Sequence, residues 1–267
     1  MKNFTVPIPL SLYIHIPWCI QKCPYCDFNS HAINHDLPEM AYVDALLADL
    51  AQDLPKIWGR KIHSIFIGGG TPSLLSPHAL EKLLTHIYSY LPIIPQTEIT
   101  LEANPSTVEN ARFQAFRQIG INRLSIGIQS FNDNALQQLG RVHNRQQALH
   151  AIEIAKNHFD NFNLDLMFGL PQQTIETALI DLALATSFQP PHLSWYQLTI
   201  EPNTLFYKTP PNVPNDDLIW EMQQQGKAFL TQKNYIHYEI SAYSQLKRQC
   251  QHNLNYWHFG DYLGIGA

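Results

Sequence analysis

Apolar and polar positions switch between two periods along nearly the whole chain, so strand-like and helix-like segments follow one another. Residues 12–16 alternate with the period of two expected of a half-buried strand. From Glu39 onward, Met40, Val43, Leu47, Leu50 and Leu54 recur every three or four residues, which predicts an amphipathic helix. Residues 63–67 form an apolar run closed by Gly68-Gly69-Gly70, and a helix is predicted over about 77–90. Further strands are predicted at 98–101, 123–128, 162–168, 192–199 and 238–242. Helices are predicted between them at about 107–118 with Gly120 as its cap, around Ala148, Ile152 and Ala155, and at about 175–187 and 215–233.

This alternation, with no linker-like stretch and no internal repeat, predicts an α/β fold of parallel strands joined by right-handed crossovers. A barrel and an open doubly wound sheet both satisfy it. The polar residues favour the barrel, because they follow the downstream ends of successive strands. Cysteines follow the first, residues 68–71 the second, Glu102 the third and Gln129 the fourth. Active sites of parallel barrels assemble at those carboxyl ends. The Pro-rich stretch at 209–215 reads as a turn before a helix.

Composition narrows the class without naming a function. The 267 residues have room for one large barrel, and 45% hydrophobic with 15% charged residues is ordinary for a globular protein. A net charge of −5 and the lack of any run of five like charges remove the basic face that nucleic-acid binding uses. Pro7 and Pro9 make the N-terminal stretch a poor signal peptide, and no apolar run reaches the ~18 residues of a bilayer span. Four cysteines, three of them clustered, give no disulfide framework. These features predict a soluble, cytoplasmic protein kept in a reducing compartment.

Candidate chemistry concentrates in WCIQKCPYCDFNS, where Cys19, Cys23 and Cys26 have the spacing C-x3-C-x2-C. Three thiolates on one loop suit three irons of a [4Fe–4S] cluster, which leaves its fourth iron open for a small molecule. A zinc site recruiting His15 or His31 is a second reading, although structural zinc usually joins two clips. Cys23-Pro24-Tyr25-Cys26 alone matches the C-x-x-C of a glutaredoxin-like dithiol protein, in which Cys19 has no task. Plain burial of three cysteines within eight residues is the blandest reading.

The chain resembles the radical S-adenosylmethionine (SAM) superfamily, in the branch of oxygen-independent coproporphyrinogen III oxidases and their haem-chaperone relatives. The stretches that carry the likeness are YIHIPWC, CPYCDFNS, FIGGGTPS, LEANP, SIGIQSF, LGRVHN, NLDLMFGLP, YQLTIEPNT and HNLNYW. The resemblance implies a partial (β/α)6 TIM-like barrel of the radical SAM type, filling residues 1–267 as one core domain. It implies a [4Fe–4S] cluster on Cys19, Cys23 and Cys26, with SAM on the open iron. Tyr13 and Tyr25 match positions lining that site. Gly69, Gly70 and Thr71 match the glycine loop that bonds the SAM amino group, and glycine permits a close backbone approach there. Glu102 and Arg141 suit the charged amino-acid end of SAM, whereas Gln129 and Asp165 suit its ribose hydroxyls. In the family, one electron from the reduced cluster cleaves SAM to methionine and a 5′-deoxyadenosyl radical, so an electron donor is an implied partner.

Two features separate the oxidases from the chaperones. The oxidase clip carries a fourth cysteine at the position of Phe28, and His252-Asn253-Leu254-Asn255-Tyr256-Trp257 matches the chaperones' H-N-x-x-Y-W. The expectation is therefore a haem chaperone, with His252 as a haem ligand and haem-accepting proteins as partners. The oxidase is the alternative, and membrane association is expected only through partners. Family members continue past the final Gly264-Ile265-Gly266-Ala267 into a further domain, so the expectation is a core lacking that domain, with its barrel edge covered in some other way.

Overall fold

The computed structural model describes residues 8–34, 36–107 and 110–267. β1 (Leu10–Ile16) leads into two short paired strands, β2 (Trp18–Cys19) and β3 (His31–Ala32), which bracket the cysteine loop. There follow α1 (Glu39–Ile57), β4 (Ile62–Gly69), α2 (Pro77–Tyr90), β5 (Ile93–Ala103), α3 (Asn110–Gln118) and β6 (Arg123–Gln129). Next come α4 (Asp133–Gln138), α5 (Arg145–His158), β7 (Phe162–Phe168), α6 (Ile175–Ser187) and β8 (His192–Gln197). The last elements are α7 (Leu205–Lys208), α8 (Asp216–Gln232), β9 (Ile236–His237), β10 (Ala242–Ser244), α9 (Gln251–Trp257) and β11 (Asp261–Gly266).

β1, β4, β5, β6, β7 and β8 lie side by side and parallel, which gives the expected α/β core. Among the described residues the strand order is β11-β1-β4-β5-β6-β7-β8-β10-β9, and the two end strands do not pair. The sheet is an open, mostly parallel one and not a closed barrel. The chain covers the free side of β1 itself: β11 pairs there in parallel, with Leu12 opposite Leu263 and Ile14 opposite Ile265.

Several expectations shift at the edges. Where a strand is expected at 238–242 the chain bends through 239–241, only Ala242 belongs to a strand as the first residue of β10, and β10 runs antiparallel to β8. Ile240 stands 74% exposed in that bend, so its apolar character reflects no buried face. Met40 is likewise on the solvent side of α1, and Leu46 takes the core position beside Val43 and Leu50. The helix expected from 107 begins at Asn110, with 108–109 outside the described residues.

The period of two divides each central strand between two environments. On β1, Leu10, Leu12, Ile14 and Ile16 are fully buried and join Val43, Leu46 and Leu50 of α1 in one core cluster. Ile65, Leu101, Ile126, Leu164 and Leu193 continue this helix-covered face across the sheet. Burying one such side chain contributes about 1.5–3 kcal/mol. The opposite parity is polar: Ser11, Ser64, Glu98, Thr100, Arg123, Ser125, Asn163, His192 and Ser194. One face of the sheet is thus an apolar layer under the helices, and the other carries polar side chains.

α8 closes on β8 through a glycine. A Cβ built on Gly226 would stand 1.9 Å from the Trp195 ring, closer than any relaxed contact. Gly226→Ala is expected to lower stability by on the order of 1–2 kcal/mol, read as a lower thermal midpoint. Overpacking outweighs the helix propensity that alanine restores.

Candidate functional site

The cysteine loop leaves the end of β1 and is tied down on both sides. Gly70 N–H donates to Ile16 O and Thr71 N–H to Trp18 O, each at 2.7 Å, so the loop after β4 is laced to its start. A Cβ on Gly70 would lie 2.5 Å from Trp18 O and 3.0 Å from Cys19 Sγ. The close approach that demands glycine at this position is therefore made by the protein's own cysteine loop. On the far side, Gln21 Nε2 donates to Gly140 O (3.4 Å) and Phe206 N–H donates to Pro24 O (2.9 Å). His15 holds the loop end, with one ring nitrogen on Asn29 O (2.8 Å) and the other on the Tyr13 hydroxyl (3.0 Å).

Cys19, Cys23 and Cys26 open onto one cavity of about 340 Å³ with Gly69, Gly70, Thr71, Glu102, Gln129, Arg141, Asp165 and Tyr25. Burial pushes the Cys19 thiol above its ordinary pKa. Glu102 Oε2 accepts the Gly69 N–H at 3.0 Å. Its carboxyl is raised to about 8, first by burial and then by the neighbouring Asp165, with the Gly69 bond opposing. Such a carboxyl gives up its proton readily when a cation arrives beside it. Gln129 ends β6 in left-handed backbone (φ 66°), a strained conformation for a residue with a side chain, and its Oε1 accepts from the Tyr196 hydroxyl at 2.8 Å.

Arg141 Nη2 donates to Gly127 O (2.8 Å) and Nη1 to Cys23 Sγ (3.7 Å). Its Nε is buried without a hydrogen-bond partner. Asp165 takes Ser125 Oγ on one oxygen (3.1 Å) and Asn163 Nδ2 on the other (2.7 Å). Burial raises its pKa, and bonds from Ser194, Ser125 and Asn163 pull it back.

The radical SAM superfamily model matches residues 13–184. The chain is 57% identical over 264 residues to a protein of Haemophilus influenzae named heme chaperone HemW, covering 97% of this chain and 69% of that protein. It is 56% identical over 260 residues to the Escherichia coli protein of the same name, with the same coverage. The chain belongs to the radical SAM superfamily and, within it, to the HemW family. Among solved structures, coproporphyrinogen III oxidase (HemN) of Escherichia coli, a radical SAM enzyme, superposes with a TM-score of 0.86 at 25% identity. That match covers 98% of this chain and 64% of the oxidase, so the chain spans under two thirds of that structure.

Radical SAM membership implies a [4Fe–4S] cluster and SAM, and the donors lining this cavity are of the kinds both groups use. Three thiols, a carboxyl ready to ionise and the Arg141 side chain line one space. Among the described residues no three His, Cys, Asp or Glu side chains converge on a single ion-sized point, as a zinc site requires. A cubic cluster takes one thiolate on each of three separate irons, so its ligands stand apart. His15, weighed as a zinc ligand, is engaged at both nitrogens. His31 Nε2 meets Asn29 Oδ1 at 3.0 Å.

Two expected residues lie elsewhere. Tyr13, on β1, is not among the residues that line this cavity; its ring meets Phe66 and His252, at centroid distances of 6.3 and 6.4 Å. His252 sits on α9 only 3% exposed, with Nδ1 at 3.0 Å from Ser64 Oγ and Nε2 at 3.1 Å from the Tyr256 hydroxyl. Cys250 joins Glu98 (3.4 Å from Sγ to Oε1) and not the cysteine loop, and burial pushes its thiol up to about 12. The sequence reading had passed over Tyr196, Ser125, Asn163 and His192. His192 Nδ1 meets Asn163 Oδ1 at 2.6 Å, and Asn163 in turn orients Asp165. The signal was present as parity: Asn163 and Asp165 on β7, and His192, Ser194 and Tyr196 on β8, all share one side.

Proposed function

We propose that this chain is a haem chaperone that carries a [4Fe–4S] cluster on Cys19, Cys23 and Cys26, binds SAM beside it, and passes haem to acceptor proteins in the cytoplasm. The observation that carries the reading is identity of 57% across 97% of the chain to a HemW protein. The described residues are then the radical SAM core of this activity. Glu102 and Arg141 bind the amino-acid end of SAM, Asp165 and Gln129 its ribose, and Tyr25 packs at the rim. When bound, the cluster supplies an electron to SAM. The protein's part is to orient SAM and hold its charges out of bulk water.

Phe28 supports the chaperone over the oxidase. It lines the cavity mouth, 59% exposed, where the oxidase clip has its fourth cysteine by the resemblance drawn above. The test loads the anaerobically reconstituted chain with haem and mixes it with haem-free apomyoglobin. Haem is expected to move to the acceptor, read by the change in Soret absorbance. Conversion of coproporphyrinogen III with stoichiometric consumption of SAM would overturn the reading in favour of the oxidase.

A further inference from the structure

His252 is held by two hydrogen bonds whose directions can be worked out. Ser64 Oγ donates to Ser11 Oγ at 2.8 Å, so it meets His252 Nδ1 as an acceptor, and that nitrogen carries the proton. A neutral imidazole has one N–H, so Nε2 presents its lone pair and accepts from the Tyr256 hydroxyl. Burial, reinforced by Arg123, lowers the His252 pKa to about 4, which keeps the ring neutral near pH 7. Its bare nitrogen is of the kind that ligates metals.

Three aromatic rings pack around the imidazole. Phe66 and Tyr256 stand 5.1 Å from the imidazole, centroid to centroid, and Tyr13 stands 6.4 Å away. Of His252 and Tyr256, only the tyrosine reaches solvent, at 42% exposed. The helix α9 is held at both ends. Glu98 Oε1 accepts from Gln251 N–H (2.9 Å) and His252 N–H (3.4 Å), and Arg123 Nε lies 4.0 Å from the other oxygen of Glu98. At the other end of this seven-residue helix the Asn255 side chain donates to Asp261 O (2.8 Å), and the half-exposed Tyr256 ring lies beside the exposed Tyr262 (5.3 Å). The imidazole is enclosed and bonded at both nitrogens, whereas the half-exposed phenol has solvent to turn into about its own side-chain bonds.

We propose that the Tyr256 hydroxyl is a displaceable cap on His252 Nε2, and that haem iron gains this nitrogen only when Tyr256 swings outward. This inference rests on the haem reading above and adds its switch. One bond is exchanged for another: the phenol–Nε2 hydrogen bond breaks, the iron–Nε2 bond forms, and a water on the iron leaves. No proton needs to move from the imidazole, because Nε2 is already bare. Haem uptake at this site therefore competes with an internal hydrogen bond, which makes the hold reversible, as transfer to an acceptor requires.

Two measurements on the full chain with its cluster test the cap. Haem is titrated into wild type, Tyr256→Phe and His252→Ala, with axial ligation read by absorption and magnetic circular dichroism. Tyr256→Phe keeps the ring and removes the competing hydroxyl, so it is expected to bind haem about three- to tenfold more tightly with unchanged histidine ligation. His252→Ala is expected to lose the histidine signature. Equal affinities of wild type and Tyr256→Phe, both histidine-ligated, would overturn the cap and leave the haem reading standing. Absence of histidine-ligated haem in wild type and Tyr256→Phe alike would overturn the iron-ligation step. ¹⁵N-histidine NMR of the haem-free chain tests the cap independently of haem. The His252 signals, assigned by their loss in His252→Gln, are expected to show a protonated Nδ1 and a bare, hydrogen-bonded Nε2 whose shift changes in Tyr256→Phe. A protonated Nε2 would overturn the cap whatever haem does.

Discussion

Replacing any one of Cys19, Cys23 and Cys26 with alanine is expected to drop iron in the anaerobically reconstituted chain from about four per molecule to near zero. Cys250→Ala should leave it at about four. The contrast follows from position. The three clip thiols share the cavity with Gly70, Thr71 and Arg141, whereas Cys250 is enclosed with Glu98 and Arg123 in a different part of the interior. A cubic cluster uses each clip cysteine for a separate iron, so no neighbouring thiol can substitute when one is lost. Iron and sulfide analysis, with absorption spectra, provides the measurement, and circular dichroism confirms that each variant is folded. A dithiol protein would lose nothing at Cys19, and a zinc protein would purify with zinc in place of iron and sulfide. Loss of iron in Cys250→Ala as complete as in the clip variants would end the three-thiol assignment.

The fold was legible wherever burial imposed a strict period. Residues 162–168 and 175–187 match their strand and helix at both ends: the strand is buried along almost its whole length, and a capping box at Thr174 and Thr177 opens the helix. Residues 238–242 misled because Tyr238, Ile240 and Ala242 alternate like a strand while the backbone bends. Tyr238 turns inward to His192 (2.7 Å), and Ile240 faces solvent. The cavity residues were legible as motifs, since Glu102 and Gln129 follow apolar runs at strand ends and Asp165 interrupts one in the middle of β7. What no local pattern reveals is convergence between distant segments. Tyr13 and His252 are 239 positions apart, and their rings meet only because α9 folds against β1 and β4. The same holds for Gly70, whose need for a missing Cβ is set by Trp18 and Cys19 on a different loop.

Glu102→Gln is expected to trade ligand binding for stability, with a pH dependence that identifies the cause. The carboxyl is raised from 4.5 to about 8 in the folded chain, mainly by burial. Between those values the folded chain keeps a proton that the unfolded chain has released. Folding stability is therefore greatest below about 4.5, falls as pH rises through the window, and is lowest above about 8. Glutamine has no such titration. At pH 5 the two proteins should unfold at similar denaturant concentrations, and at pH 8 the variant should be more stable by on the order of 2–4 kcal/mol. Binding should move the other way. The SAM ammonium loses an opposite charge in a low-dielectric cavity, which weakens affinity by about 10- to 100-fold by isothermal titration on the reconstituted chain. A stability gap that is equal at pH 5 and pH 8 would show that Glu102 is not held as a neutral acid. Unchanged SAM affinity would remove it from the binding site. Glu102 thus keeps the ligand-free chain less stable than it could be, and that deficit is recovered when a cation neutralises the carboxylate.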